Sequence, residues 1–204
     1  LIQGDVGSGK TAVAMYAVFW ATRCGAQSLL LAPTSLLAAQ HFKMAQSLFG
    51  DRAALLTGAT PAGEREEIRR KAAAGEIDVL VSTHAALYEQ PAFADLRLLV
   101  IDEQHRFGVL QRSQMAGRYS GLHTITMSAT PIPRSLAMIL HGSAEISVLD
   151  ELPPGRTPVK TFLIGKNRRA ALYDWLSERV AAGEKAYVVC PLLEPSEGIS
   201  AVSV

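Results

Sequence analysis

The chain has 204 residues, 49% of them hydrophobic, which suits one domain with a substantial core plus part of another. Its 20 basic and 19 acidic residues leave a formal charge of +1, so no bulk cationic field draws it to nucleic acid, and any such binding needs a local patch. Two cysteines far apart, Cys24 and Cys190, match no metal spacing and read as reduced, buried thiols, no apolar run reaches the length of a membrane span, and no signal peptide is visible.

The first element is a loop. Gly4-Asp5-Val6-Gly7-Ser8-Gly9-Lys10-Thr11 fits Gly-x-x-x-x-Gly-Lys-Thr, the phosphate-binding loop of nucleotide triphosphatases. Glycines let backbone N–H groups turn inward around phosphates with no Cβ in the way. Lys10 brings a point charge to the β- and γ-phosphates, and Thr11 a hydroxyl to Mg²⁺. The helix that starts near Lys10 adds its positive dipole end. Only Leu1 and Ile2 remain of the strand that must feed the loop, and the chain stops as abruptly at Val204, so it reads as an internal piece of a longer protein.

Residues 12–22 are apolar on almost every side, as expected of a helix buried against a sheet and stopped by Gly25. Residues 28–32 form a short apolar run typical of a parallel strand covered on both faces. Residues 35–49 have helical spacing, with Leu37, Met44, Ala45 and Leu48 apolar. A strand is expected at 53–57. A polar helix follows at 61–74, with Thr60 as its cap, Pro61 in its first turn and Gly75 at its stop. Further strands are expected at 77–82, 98–102 and 123–128. Strands alternating with helices predict an α/β fold, a parallel sheet sandwiched between helices.

Near residue 150 the texture changes. Residues 150–158 hold three prolines and a glycine and read as a linker. Beyond it come a strand at 159–164, a helix capped by Asn167 with Leu172, Trp175, Leu176 and Val180 on one stripe, and a strand at 186–190. One strand-helix-strand unit would thus open a second α/β domain.

Asp102-Glu103 closes an apolar strand downstream of the phosphate loop, where an acidic pair can serve metal and water. Asp102 would hold Mg²⁺ through its water shell, and Glu103 would polarise the attacking water. Hydroxyl residues also stand at three other strand ends: Ala32-Pro33-Thr34, Ser82-Thr83-His84 and Ser128-Ala129-Thr130-Pro131. They can donate to phosphate oxygens without reading bases, and composition alone makes them helix caps.

In order, the phosphate loop, Ala-Pro-Thr, Thr-Gly, Thr-His, Asp-Glu-Gln-His and Ser-Ala-Thr resemble the motifs of superfamily 2 helicases. Asp102 through Val109, Met127 through Arg134 and Val148 through Arg156 resemble in particular the RecG family of ATP-dependent DNA helicases. The likeness covers essentially the whole chain. It departs at Ser35, where that family commonly has Glu. It implies a RecA-like P-loop NTPase domain at 1–150, a linker at 151–158 and the start of a second RecA-like domain at 159–204.

The resemblance also implies roles. Gly4, Asp5, Val6, Gly7, Ser8, Gly9, Lys10 and Thr11 would bind ATP, with Thr11 and Asp102 on Mg²⁺. Lys10, Asp102, Glu103, Gln104 and His105 would serve hydrolysis, the last two coupling nucleotide state to DNA. Ser128 and Thr130 would link turnover to domain movement, while Thr34, Thr83 and His84 would hold DNA backbone. Phe107 reads as packing, and His41 and His123 carry no assigned role. The implied activity is ATP-driven remodelling of branched DNA, such as stalled forks and Holliday junctions, by a monomeric motor in the bacterial cytoplasm. An arginine finger would come from beyond Val204, so these 204 residues alone would turn over little ATP. A translocase of the transcription-repair coupling factor type, acting on RNA polymerase, is the alternative. A P-loop ATPase unrelated to nucleic acid would leave the Ala-Pro-Thr and Ser-Ala-Thr strand ends unexplained.

Overall fold

Seven short runs of the chain line up side by side as one parallel sheet. They are β1 (Ile2–Gly4), β2 (Gln27–Ala32), β3 (Ala53–Leu56), β4 (Val79–Thr83), β5 (Leu96–Asp102), β6 (His123–Ser128) and β7 (Ser147–Leu149). Their spatial order is β3-β4-β2-β5-β6-β1-β7, every pairing parallel. Consecutive parallel strands need crossover connections, and helices α1 (Lys10–Arg23), α2 (Ser35–Phe49) and α3 (Ala62–Ala73) supply three of them. The computed structural model describes residues 1–83, 92–103, 117–129, 145–151, 157 and 159–189. The chain divides into two compact units, Leu1–Arg156 and Thr157–Val204.

The two faces of the sheet carry separate cores. Strand residues alternate between faces, so Leu30, Val81 and Val100 meet Ala14, Met15 and Val18 of α1 and Ala38 and Ala45 of α2. Leu29, Leu31, Leu80, Leu99 and Ile101 face the other way, onto Ile68 and Ala72 of α3 and onto Phe93. Every residue of β2 is buried, as expected of a central parallel strand. Its first residue, Gln27, is a buried staple. Its Nε2 donates to the carbonyls of Ala72 (2.9 Å) and Ile77 (2.6 Å), and its Oε1 accepts from the Asp95 amide at 3.0 Å.

Several local expectations are corrected. Helix α1 is buried on one stripe only; Tyr16, Phe19 and Trp20 are exposed and meet edge to face. Cys24, just past its end, is exposed too, and Cys190 lies outside the described residues. On α2 the inward positions are Ala38, His41 and Ala45, whose small neighbours let the helix approach the sheet, while Met44 and Leu48 face out. The residue before α3 is Pro61, not Thr60, whose hydroxyl instead accepts from the Thr57 amide at 3.0 Å. Strand β7 was not expected, because three residues are too few to show a period.

In the second unit the helix forms, as α4 (Arg169–Ala181), ending before Gly183 at φ 90°. Asn167 lies in the short 3₁₀ turn Lys166–Arg168 that leads into it, so Arg168 takes the cap position. Leu172 and Leu176 are half-buried, whereas Trp175 and Val180 are exposed. The strands expected at 159–164 and 186–190 are not formed among the described residues. A strand needs a backbone partner, and neither run has one among the described residues. The linker expected at 151–158 falls mostly outside the described residues.

Candidate active site

Because all seven strands run the same way, their carboxyl ends share one edge. Thr83, Ala32, Asp102, Ser128 and Gly4 end β4, β2, β5, β6 and β1, in that spatial order. From β1 the chain crosses over β6 and β5 to reach β2, while β7 lies on β1's other side. The loop after β1 therefore opens where strand order reverses, the place where open α/β sheets bind ligands.

The loop's shape follows from its glycines. Gly7 and Gly9 have φ of 84° and 96°, a left-handed conformation that side chains rarely tolerate, and Gly9 is the residue from which α1 starts. The Ser8 amide donates to the Asp5 carbonyl at 3.1 Å, and the Val6 amide to Asp5 Oδ1 at 2.7 Å. Lys10 folds back over this turn. Its Nζ donates to the carbonyls of Gly4 and Asp5, both at 2.8 Å. Thr11 stands beside it, half-buried in the first turn of α1.

Two strands away, Asp102 ends β5 in register with Met127 of β6, while Ser128 is in register with Gln3 of β1. Asp102 accepts a hydrogen bond from His41 Nε2, which lies 2.8 Å from its Oδ2. Sequence reasoning left His41 without a role. A histidine on the inward stripe of a helix needs a polar partner, and only the packing of the helix on the sheet names it. The next residue, Glu103, has φ of 53°, left-handed and uncommon for a side chain that is not glycine.

Of the other strand ends, Thr34 caps α2, its Oγ1 accepting from the Leu37 amide at 3.3 Å. Thr83 and Ser128 are both buried. His84, Gln104, His105, Phe107 and Thr130 lie outside the described residues.

The residues fit a nucleotide triphosphate with its magnesium. The Ser8 hydroxyl is buried with no hydrogen-bond partner among the described residues, a polar atom that a bound phosphate oxygen would satisfy. One threonine hydroxyl and one carboxylate suit Mg²⁺, which keeps most of its waters and shares the rest of its shell with phosphates.

The model of the DEAD/DEAH box helicases matches residues 1–139. The chain belongs to the DEAD/DEAH box helicase family. Within it, the chain is 45% identical over 200 residues to the ATP-dependent DNA helicase RecG of a Synechocystis species, covering 97% of the chain and 24% of that relative. It is 43% identical to the RecG of Thermotoga maritima, over 100% of the chain and 26% of the relative. The chain thus spans about a quarter of the length of these curated relatives. A solved structure of RecG bound to a three-way DNA junction matches with a TM-score of 0.78 and 40% identity, over 94% of this chain and 26% of that one. The helicase domain of Pyrococcus furiosus Hef matches with a TM-score of 0.57 and 27% identity, over 75% of this chain and 35% of that one. Among the described residues no helix is long and apolar enough to cross a membrane.

Proposed function

We propose that this helicase chain is part of a RecG-type motor that uses ATP to move on and remodel branched DNA, such as stalled forks and Holliday junctions. Residues 1–150 act as its ATP-binding domain, 151–158 as a linker and 159–204 as the start of a second RecA-like domain. The observation that carries this reading is the placement of the Lys10 loop and Asp102 on one sheet edge, two strands apart, in a chain so similar to RecG.

Backbone amides of the loop, with Gly7 and Gly9 left-handed, cradle the phosphates. On binding ATP, Lys10 exchanges the Gly4 and Asp5 carbonyls for the β- and γ-phosphates. Thr11 and Asp102 would hold magnesium, Asp102 through its water shell, and the ion would supply positive charge beside the phosphates. Glu103 orients and polarises the attacking water. An arginine finger from the second motor domain completes the stabilisation, worth about 10³ to 10⁵ in rate. Gln104 and His105 pass the nucleotide state to the DNA side, and Ser128 and Thr130 pass it to domain movement. Thr34, Thr83 and His84 hold the DNA backbone. Contacts to phosphates rather than bases suit a motor that must tolerate any sequence. The motor acts as a monomer.

The test is ATP hydrolysis by the full-length protein with a three-way or four-way junction, with linear duplex and with no DNA. Stimulation greatest with the junction, together with ATP-dependent unwinding of its arms, is the expected result. Hydrolysis indifferent to DNA would remove the reading.

A further inference from the structure

His41 sits where a histidine is costly. It lies on the inward stripe of α2 between Ala38 and Ala45 and is 7% exposed. An imidazole there gives up water that only a protein partner can replace. The partner is the Asp102 carboxylate, Nε2 to Oδ2 at 2.8 Å, with the two side chains 8% and 13% exposed. The ring N–H donates and the carboxylate accepts, so the bond engages one of the two oxygens and fixes how the carboxylate is turned. Carboxylates that serve metals are oriented in this way by groups that never touch the metal. The helix that carries the imidazole is capped about two turns upstream by the Thr34 hydroxyl. One rigid element thus joins the end of β2 to the acidic residue that ends β5.

We propose that His41 is a positioning residue of the ATP site: it holds the Asp102 carboxylate in the orientation that the magnesium water shell requires. The proposal rests on the role given to Asp102 above. Replacing the ring by an amide of similar reach should preserve the function, whereas truncating it should not.

The experiment uses the full-length protein. Mn²⁺ affinity is read by electron paramagnetic resonance with a non-hydrolysable ATP analogue, beside steady-state hydrolysis as a function of Mg²⁺. His41→Ala is expected to weaken the metal by about 10-fold or more and to lower kcat, with KM for ATP little changed. His41→Gln is expected to recover most of both. Asp102→Asn is the reference, and His41→Ala added to it should cost nothing further, because the histidine acts through that carboxylate. If Asp102→Asn weakens the metal and His41→Ala does not, the positioning role is wrong and the site reading stands. If Asp102→Asn leaves the metal affinity intact, the site reading fails and takes the positioning role with it. Equal losses in His41→Ala and His41→Gln, with equal falls in melting temperature, would reduce His41 to packing and overturn the proposal.

Discussion

The Lys10 ammonium lies 2.8 Å from the Gly4 carbonyl oxygen, so the residue that closes the phosphate loop is tied to the strand that opens it. A lysine placed this way is already gathered over the loop. Its charge is worth most against the β- and γ-phosphates, where the transferred group carries its own negative charge. Lys10→Ala in the full-length protein is therefore expected to abolish ATP hydrolysis and to weaken binding of a fluorescent ATP analogue. Since Lys10 is half-exposed and on the loop, the melting temperature without nucleotide should change little. Normal steady-state hydrolysis in this variant would remove Lys10 from the site.

Gly4 makes a different demand, one of space. A Cβ at this position would sit 2.5 Å from Ser8 Oγ and 2.9 Å from the Leu149 carbonyl oxygen. Ser8 can turn aside, but the Leu149 oxygen belongs to the backbone of β7, which pairs with Gly4 itself. Gly4→Ala must then push apart β1 and β7 or deform the loop. Both the melting temperature and the affinity for an ATP analogue are expected to fall. Gly58→Ala is the control, because an added Cβ there meets nothing within 4 Å. If the two variants behaved alike, close packing at the loop would not be what requires glycine.

The sheet was legible because β2, β4 and β5 hold apolar runs and β6 alternates polar with apolar residues. The edges of α2 and β6 were legible to the residue, since Thr34 is a good cap and His123 begins a clean run. The placement of the loop after β1 and of Asp102 at the end of β5 was legible, because glycines mark the turn into α1 and an apolar run leads into Asp102. The His41–Asp102 bond was not, because its partners stand 61 residues apart and meet only through the packing of α2 on β5. The outward face of α1 was misread for a related reason. Tyr16, Phe19 and Trp20 are apolar by composition, and only the placement of the sheet decides which stripe is buried. In the second unit, residues 159–164 have strand composition, but pairing is a property of neighbours rather than of the run itself.

Gln27 shows the same non-local logic in the framework that supports the site. It is 3% exposed, and its amide ties the end of α3, the segment before β4 and the start of β5 to the start of β2. Leaving a buried backbone group unpaired costs about 1–3 kcal/mol. Gln27→Leu keeps similar volume but strands the Ile77 carbonyl and the Asp95 amide, so a loss of roughly 2–4 kcal/mol is expected. Guanidinium unfolding reads it directly as a lower midpoint. A loss below about 0.5 kcal/mol, the size typical of surface changes, would show that water replaces the staple at no cost.

Glu103 separates stability from chemistry. Its φ of 53° places a residue with a side chain in the left-handed region, at a cost of about 1–3 kcal/mol that the surrounding structure must offset. Strain of this kind tends to persist where it aims a functional group. Two substitutions take the two components apart. Glu103→Gln keeps the backbone and the shape of the side chain but removes the carboxylate, so ATP should still bind while hydrolysis falls by about 100-fold or more. The variant should accumulate bound ATP, visible by nucleotide retention on a filter. Glu103→Gly removes the carboxylate and also relieves the backbone, so hydrolysis should fall as far while the melting temperature holds or rises. Loss of activity with unchanged or improved stability is the pattern expected of a strained catalytic group. Unchanged hydrolysis in Glu103→Gln would instead mean that another residue polarises the water.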